Sequence, residues 1–167
     1  MNKTGPIAYL TGEYPRATDT FIQREVAALR ALGVTVETCS IRRTDPSHHV
    51  GPEQREEASR TFHILDAAKN PSRLLKAHVG LLKQSPRQYF GTLKKAWHTR
   101  APGAKAALYQ MIYFAEAGML AQHMQARGIT HLHNHIATAS CTVAMLASAL
   151  SDIPFSFTLH GPDIFFE

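Results

Sequence analysis

The sequence predicts an α/β domain, a largely parallel sheet of about five strands with helices on both faces. Three observations carry this. Short runs of β-forming residues alternate with longer stretches of helical periodicity, the order that builds parallel sheets. The first two strands flank a single amphipathic helix, a βαβ unit with a right-handed crossover. The last strand stops at His160-Gly161-Pro162, the polar and turn-forming residues expected where a strand leaves a sheet edge.

In chain order, Ile7 to Thr11 reads as a first strand ending at Gly12. A helix follows with Phe21, Ile22, Val26, Leu29 and Leu32 on one face, Thr20 and Gln23 forming a capping box, and Gly33 at its end. Thr35 to Ile41 is the second strand, and Asp45 to Pro52, with the His48-His49 pair, is a loop that receives no role. Thr61 to Leu65 is a short third strand. Asn70-Pro71 and Ser85-Pro86 start two helices, to Lys83 and to His98, with a capping box of Ser85 and Gln88. Leu74, Leu75, Val79 and Leu82 form the buried side of the first. A long helix from Ala104 to Arg127, apolar at Leu108, Met111, Ile112, Ala115 and Met119, closes at Gly128. Ile129 to Ile136 is the fourth strand, Ala137 to Ser151 a small-residue helix, and the run from Phe155 the fifth strand.

These elements make a three-layer Rossmann-like domain. With strand order 3-2-1-4-5, a crevice opens between the first and fourth strands at their carboxyl ends. The loop at Gly12, the turn from His135 to Thr138 and the loop at His160 border it. One domain of 167 residues buries about 70% of its unfolded surface without crosslinks. Cys39 and Cys141 give no disulfide framework, so the expected location is cytoplasmic.

Charge is unevenly spread over a chain of net charge +5. No acidic residue occurs from Ala67 to Ala115, where Lys69, Arg73, Lys76, Lys83, Arg87, Lys94, Lys95, Arg100 and Lys105 lie. A one-signed field of this kind suits a phosphorylated acceptor or peripheral contact with an anionic membrane through residues 69–105, on the inner face of the plasma membrane. It also suits a solvated face. Nucleic acid is not the expected partner, since neither an aromatic strand motif nor zinc-finger spacing accompanies the charge.

His131, His133 and His135 alternate along the fourth strand and so share a face. Spacing i, i+2 can bind zinc, but no third ligand of definite geometry is readable, and no metal is expected. His135 stands just before a helix N-terminus, whose free amides favour an anion. The glycine-rich patterns of dinucleotide-binding and P-loop proteins are absent, as is the G-x-S-x-G elbow of serine hydrolases.

Three segments together resemble a known family. Pro15-Arg-Ala-Thr-Asp-Thr-Phe-Ile-Gln-Arg-Glu25, His131-Leu-His-Asn-His-Ile-Ala137 and Phe157-Thr-Leu-His-Gly-Pro-Asp-Ile-Phe165 are similar to signatures of the N-terminal half of GT-B retaining glycosyltransferases of family 4, exopolysaccharide and colanic-acid branch. Thr18 and Asp19 stand where Ser and Glu are usual, and Ile136 where Phe is usual.

The resemblance implies transfer of a sugar from a nucleotide diphosphosugar donor to a glycan or lipid-linked acceptor, without a cofactor. It implies that His160 contacts the transferring sugar, that Gly161 lets the backbone approach it and that Asp163 fixes the loop. It also implies that Gly12 faces the donor diphosphate, with His135 and Thr138 on the acceptor side. The family's second domain, with its paired-glutamate E-x(7)-E motif, is not in the sequence. The chain ends on Phe165-Phe166-Glu167 just after a strand, so the expectation is a single acceptor-side domain, truncated and inactive alone. Two other readings remain open: a freestanding glycan- or partner-binding domain, and a zinc hydrolase using His131, His133 and His135.

Overall fold

The computed structural model describes residues 5–136 and 138–159. Five strands form one all-parallel sheet in the order β3-β2-β1-β4-β5. They are β1 (Ile7–Glu13), β2 (Val36–Arg42), β3 (Phe62–His63), β4 (His131–His135) and β5 (Phe155–Thr158). The helices are α1 (Thr20–Ala31), α2 (Pro52–Arg60), α3 (Ile64–Ala68), α4 (Pro71–Gln84), α5 (Pro86–His98), α6 (Ala104–Ala126) and α7 (Ala139–Ser151). Among the described residues, a three-layer Rossmann-like domain results.

Alternation along the strands divides the core in two. Ala8 and Leu10 of β1, Cys39 and Ile41 of β2 and Leu132 of β4 face a large cluster built from α3 to α7. Tyr9 and Val36 face the other way, against Ile22 and Val26 of α1. Helix α2 is tied to this second layer by charge: Glu57 accepts from the Arg30 guanidinium at 2.6 and 3.1 Å and from the Thr38 hydroxyl at 2.9 Å.

Both helix ends marked by glycine are where the sequence puts them. Gly33 and Gly128 adopt φ +83° and +64°, which lets Val34 N–H reach Leu29 O and Ile129 N–H reach Met124 O, each at 3.0 Å. This is the six-to-one bond that closes a helix through a left-handed residue. Asn70 caps α4 as expected, accepting from Arg73 N–H.

Some details differ. Thr20 is not a cap: Asp19 occupies that position, and Gln23 donates to Arg16 O at 2.7 Å, pinning the loop before the helix. Likewise, Ser85 makes no side-chain cap, and Gln88 instead donates to Ala149 O, joining α5 to α7. The third strand is only two residues long because it pairs with Cys39 and Ser40 alone. Beyond it Ile64 and Ala67, three apart, bury together as a helix face; a short apolar run does not choose between the two periods. Finally, α4 buries Ala77 and Leu81, whereas Leu75 and Val79 are exposed.

The reason for that last rotation is a close helix crossing. His78 of α4 donates from Nε2 to Ala115 O at 3.1 Å, and its Nδ1 accepts from the Tyr89 hydroxyl at 2.9 Å. The carbonyl can only accept, which fixes the tautomer. Gly118 makes the approach possible, since an added Cβ would overlap the His78 ring. One histidine thus ties α4, α5 and α6 together.

Candidate functional site

A cavity of about 460 Å³ opens at the carboxyl ends of the strands, between β1 and β4. These strands are neighbours in the sheet but far apart in sequence, and their connections leave to opposite sides. A crevice must form at such a switch point. From the end of β1 and the loop after it come Gly12, Glu13, Arg16 and Asp19, from the end of β2 come Ile41 and Arg42, and from the β4–α7 turn and the start of α7 come Ile136, Thr138 and Ser140. Helix α6 supplies Tyr109, Ile112, Tyr113 and Glu116, spaced i, i+3, i+4 and i+7 and so on one stripe.

The turn after β4 is held in an uncommon backbone state. Ile136 has φ +73°, in the left-handed region that β-branched residues rarely adopt and that costs roughly 1–3 kcal/mol. Several bonds enforce it. Ile136 N–H donates to Thr158 O, and its carbonyl accepts from both the Asn134 side-chain amide and Thr138 N–H, all at 3.0 Å. Asn134 is fully buried, so the anchor is rigid. The effect is to bring the start of α7 to the cavity rim opposite Gly12, whose Cβ position faces the Thr138 hydroxyl at 3.8 Å.

Charge in the cavity is mixed. Arg16 and Arg42 line it beside the amide-rich start of α7, which carries the positive end of the helix dipole. The Arg16 Nε is buried and has no hydrogen-bond partner among the described residues. Glu116 is only 5% exposed, and its Oε2 is likewise buried without a partner. Burial pushes the Glu116 carboxyl up to about 7, against the opposing pull of Arg42.

Of the expected site residues, Gly12 and Thr138 line this cavity together. His135 does not. Its backbone ends β4 at the same edge, but the imidazole turns to the α1 side, buried between Tyr9 and Phe21 with centroid distances of 5.2 and 6.2 Å. There its Nε2 lies 3.7 Å from Glu25, whose carboxylate also accepts from the Tyr9 hydroxyl at 2.6 Å. His160, Gly161 and Asp163 lie outside the described residues. β5, which leads to them, pairs with β4 from Leu132 to His135.

The histidine row itself has a structural explanation. His131 Nε2 and His133 Nδ1 both lie 2.8 Å from the Ser156 hydroxyl, and the Thr158 hydroxyl is 3.1 Å from His133 Nε2. Ser156 and Thr158 are two apart on β5, so the imidazoles and hydroxyls pair across the strands. Among the described residues, no group of three or more His, Cys, Asp or Glu is placed to hold a metal ion.

Sequence reading missed Arg16, Arg42, Tyr109, Tyr113 and Glu116. For Glu116 a signal existed. It is the single charge in Phe114 to Ala121, otherwise apolar, and the first acid after the stretch that has none. A charged residue is almost never fully buried unless paired, so a lone one inside a buried helix marks a site.

Comparison with protein-family models, curated proteins and solved structures found no match.

Proposed function

We propose that this domain is the acceptor-side half of a retaining glycosyltransferase of the GT-B type, moving a sugar from a nucleotide diphosphosugar to a glycan or lipid-linked acceptor in bacterial polysaccharide biosynthesis. The observation that carries the reading is the cavity at the β1/β4 switch point. It gathers Gly12 and Thr138, which flank two of the three signature segments, from positions 126 residues apart, and the third segment begins within β5, beside β4. Its chemistry suits both partners of such a reaction. Arg16, Arg42 and the α7 amides favour the diphosphate, while tyrosine rings, hydroxyls and a carboxyl suit a polyol.

Transfer then requires a nucleotide-binding domain carrying the paired glutamates, on this chain or another. The 167-residue chain alone is expected to transfer nothing from UDP- or GDP-hexoses, and activity at the rate of a two-domain enzyme would refute the assignment. With the nucleotide-binding domain present, His160→Ala is expected to lower turnover about a hundredfold, the scale for losing one transition-state contact, with little change in melting temperature. Unchanged turnover would remove His160 from the site.

The same reading places the acceptor at a membrane. Five exposed large apolar residues outside the cavity, Leu75, Val79, Phe90, Trp97 and Leu108, lie on α4, α5 and α6, the helices that also carry the basic stretch. Phe90, Lys94 and Trp97 follow one stripe of α5 and, with Leu93 and Met111, line an apolar groove of about 380 Å³. The Arg100 guanidinium stacks on Trp97 at 3.8 Å. Apolar anchors among cations suit an anionic bilayer surface. Flotation is expected to recover the protein with phosphatidylglycerol vesicles but not with phosphatidylcholine, less at high salt, and much less after joint Phe90→Ser and Trp97→Ser replacement. Equal recovery with both lipids, or none with either, would end this part of the proposal. No helix among the described residues is long and apolar enough to cross a membrane.

A further inference from the structure

Glu116 has no place in the sequence-derived site, yet it is the most unusual group in the cavity. A carboxyl removed from water needs a partner, and leaving one unsatisfied is costly. Here Oε2 is buried without one among the described residues, and Arg42, though it pulls on the carboxyl electrostatically, makes no hydrogen bond or ion pair with it there. Within the same cavity Tyr109 and Tyr113 lie on the Glu116 stripe of α6, their rings stacked at 6.3 Å and 23°. Across from α6 stand the Thr138 and Ser140 hydroxyls, 3.2 Å from each other.

We propose that Glu116 recognises a hydroxyl of a hexose ring bound in this cavity, with Tyr109 and Tyr113 contacting the ring's apolar face. The inference rests on the glycosyltransferase reading for the class of occupant, and on the geometry for the residue. A pyranose has an apolar C–H face and an edge of hydroxyls, and this cavity offers both kinds of partner within reach of one stripe. A carboxyl suits a sugar hydroxyl in either ionisation state, accepting from it as carboxylate and donating to it as acid. The cost of keeping Glu116 buried would then be offset by a bond made only when the sugar is present. Such a site rejects analogues lacking the hydroxyl, because the buried carboxyl would be left unpaired.

The test uses the purified chain and three probes, methyl α-glucopyranoside, methyl α-galactopyranoside and methyl α-mannopyranoside, followed by ligand-observed NMR and by the ¹³C resonance of the Glu116 carboxyl. At least one probe is expected to bind and to shift that resonance. Glu116→Gln, which keeps a hydrogen-bonding group, should hold affinity within about threefold, and Glu116→Leu should weaken it about tenfold or more, the scale of one hydrogen bond to a charged group. Circular dichroism confirms that both variants are folded. Undiminished binding by folded Glu116→Leu would overturn the role of Glu116 and leave the sugar site standing. Failure of all three probes to bind the wild-type chain would overturn the proposed occupant, whereas sugar binding without any transfer in the two-domain assay would sink the enzymatic reading and leave Glu116 in place.

Discussion

Replacing Glu116 by leucine is expected to stabilise the protein by about 3 kcal/mol above pH 7, and by much less near pH 4.5. The folded carboxyl titrates at about 7, against an ordinary value of 4.5. Between those values the folded protein keeps a proton that the unfolded chain has released. Stability therefore falls as pH rises through this window and levels off above it, by roughly 1.4 kcal/mol for each unit of displacement. The titratable groups that share the cavity are Glu13 at the end of β1, Arg16 and Asp19 in the loop after it, Arg42 on β2, and Tyr109 and Tyr113 on α6 itself. Arg42 opposes the shift and burial dominates it. Urea unfolding of wild type and variant from pH 4.5 to 8 measures the difference directly. A difference that stays constant with pH would mean that Glu116 is solvated and ordinary, and would remove the physical basis for its role in the cavity.

Leu132→Ala is expected to cost about 2–5 kcal/mol, while His133→Ala costs about 1 kcal/mol, although the two residues are adjacent on one strand. Leu132 is 0% exposed among the residues packed by α6 and α7. Truncation there opens a cavity between the sheet and two helices that are already in close contact. His133 faces the other way, half-buried, toward Ser156, Thr158 and the Tyr9 ring. Its loss removes hydrogen bonds on a face where water can replace them. Melts of the two variants at one pH give the comparison. A histidine replacement as costly as the leucine would show that this face of β4 and β5 is packed under something more than α1.

Much of the fold was readable because it rests on local signals. The alternation of strands and helices places a parallel sheet between two helix layers, the observed order is the 3-2-1-4-5 taken for the crevice, and the helix ends at Gly33 and Gly128 follow from the need for a left-handed residue. Details set by tertiary contact were not readable. Gln23 and Gln88 sit where capping boxes would have them accept from the N-cap N–H, yet each donates its amide to a carbonyl outside its own helix turn. In α4, the aliphatic side chains Leu75 and Val79 stay exposed because the helix approaches α6 through Ala77, His78 and Gly118. Hydrophobic periodicity reports how apolar a face is, and it does not report how closely a neighbour must approach.

The candidate site divides the same way. Gly12 and Thr138 could be placed at one edge from chain order alone, because parallel strands deliver their carboxyl ends to the same side. His135 could not be assigned to a face by that argument, and it lies under α1, since the pleat turns odd-numbered β4 residues away from the cavity.

The sequence by itself determined the layer architecture and, given the strand order 3-2-1-4-5, the edge at which a site could form, because periodicity, handedness and turn chemistry act within short windows. Only the tertiary structure decided which side chains meet at that edge. Arg16, Arg42 and Glu116 come from the loop after β1, from β2 and from α6, and no spacing rule relates them. Burial of the Glu116 Oε2 without a partner among the described residues is a property of the packed surroundings, where the loss of water, not the residue type, makes a carboxyl unusual.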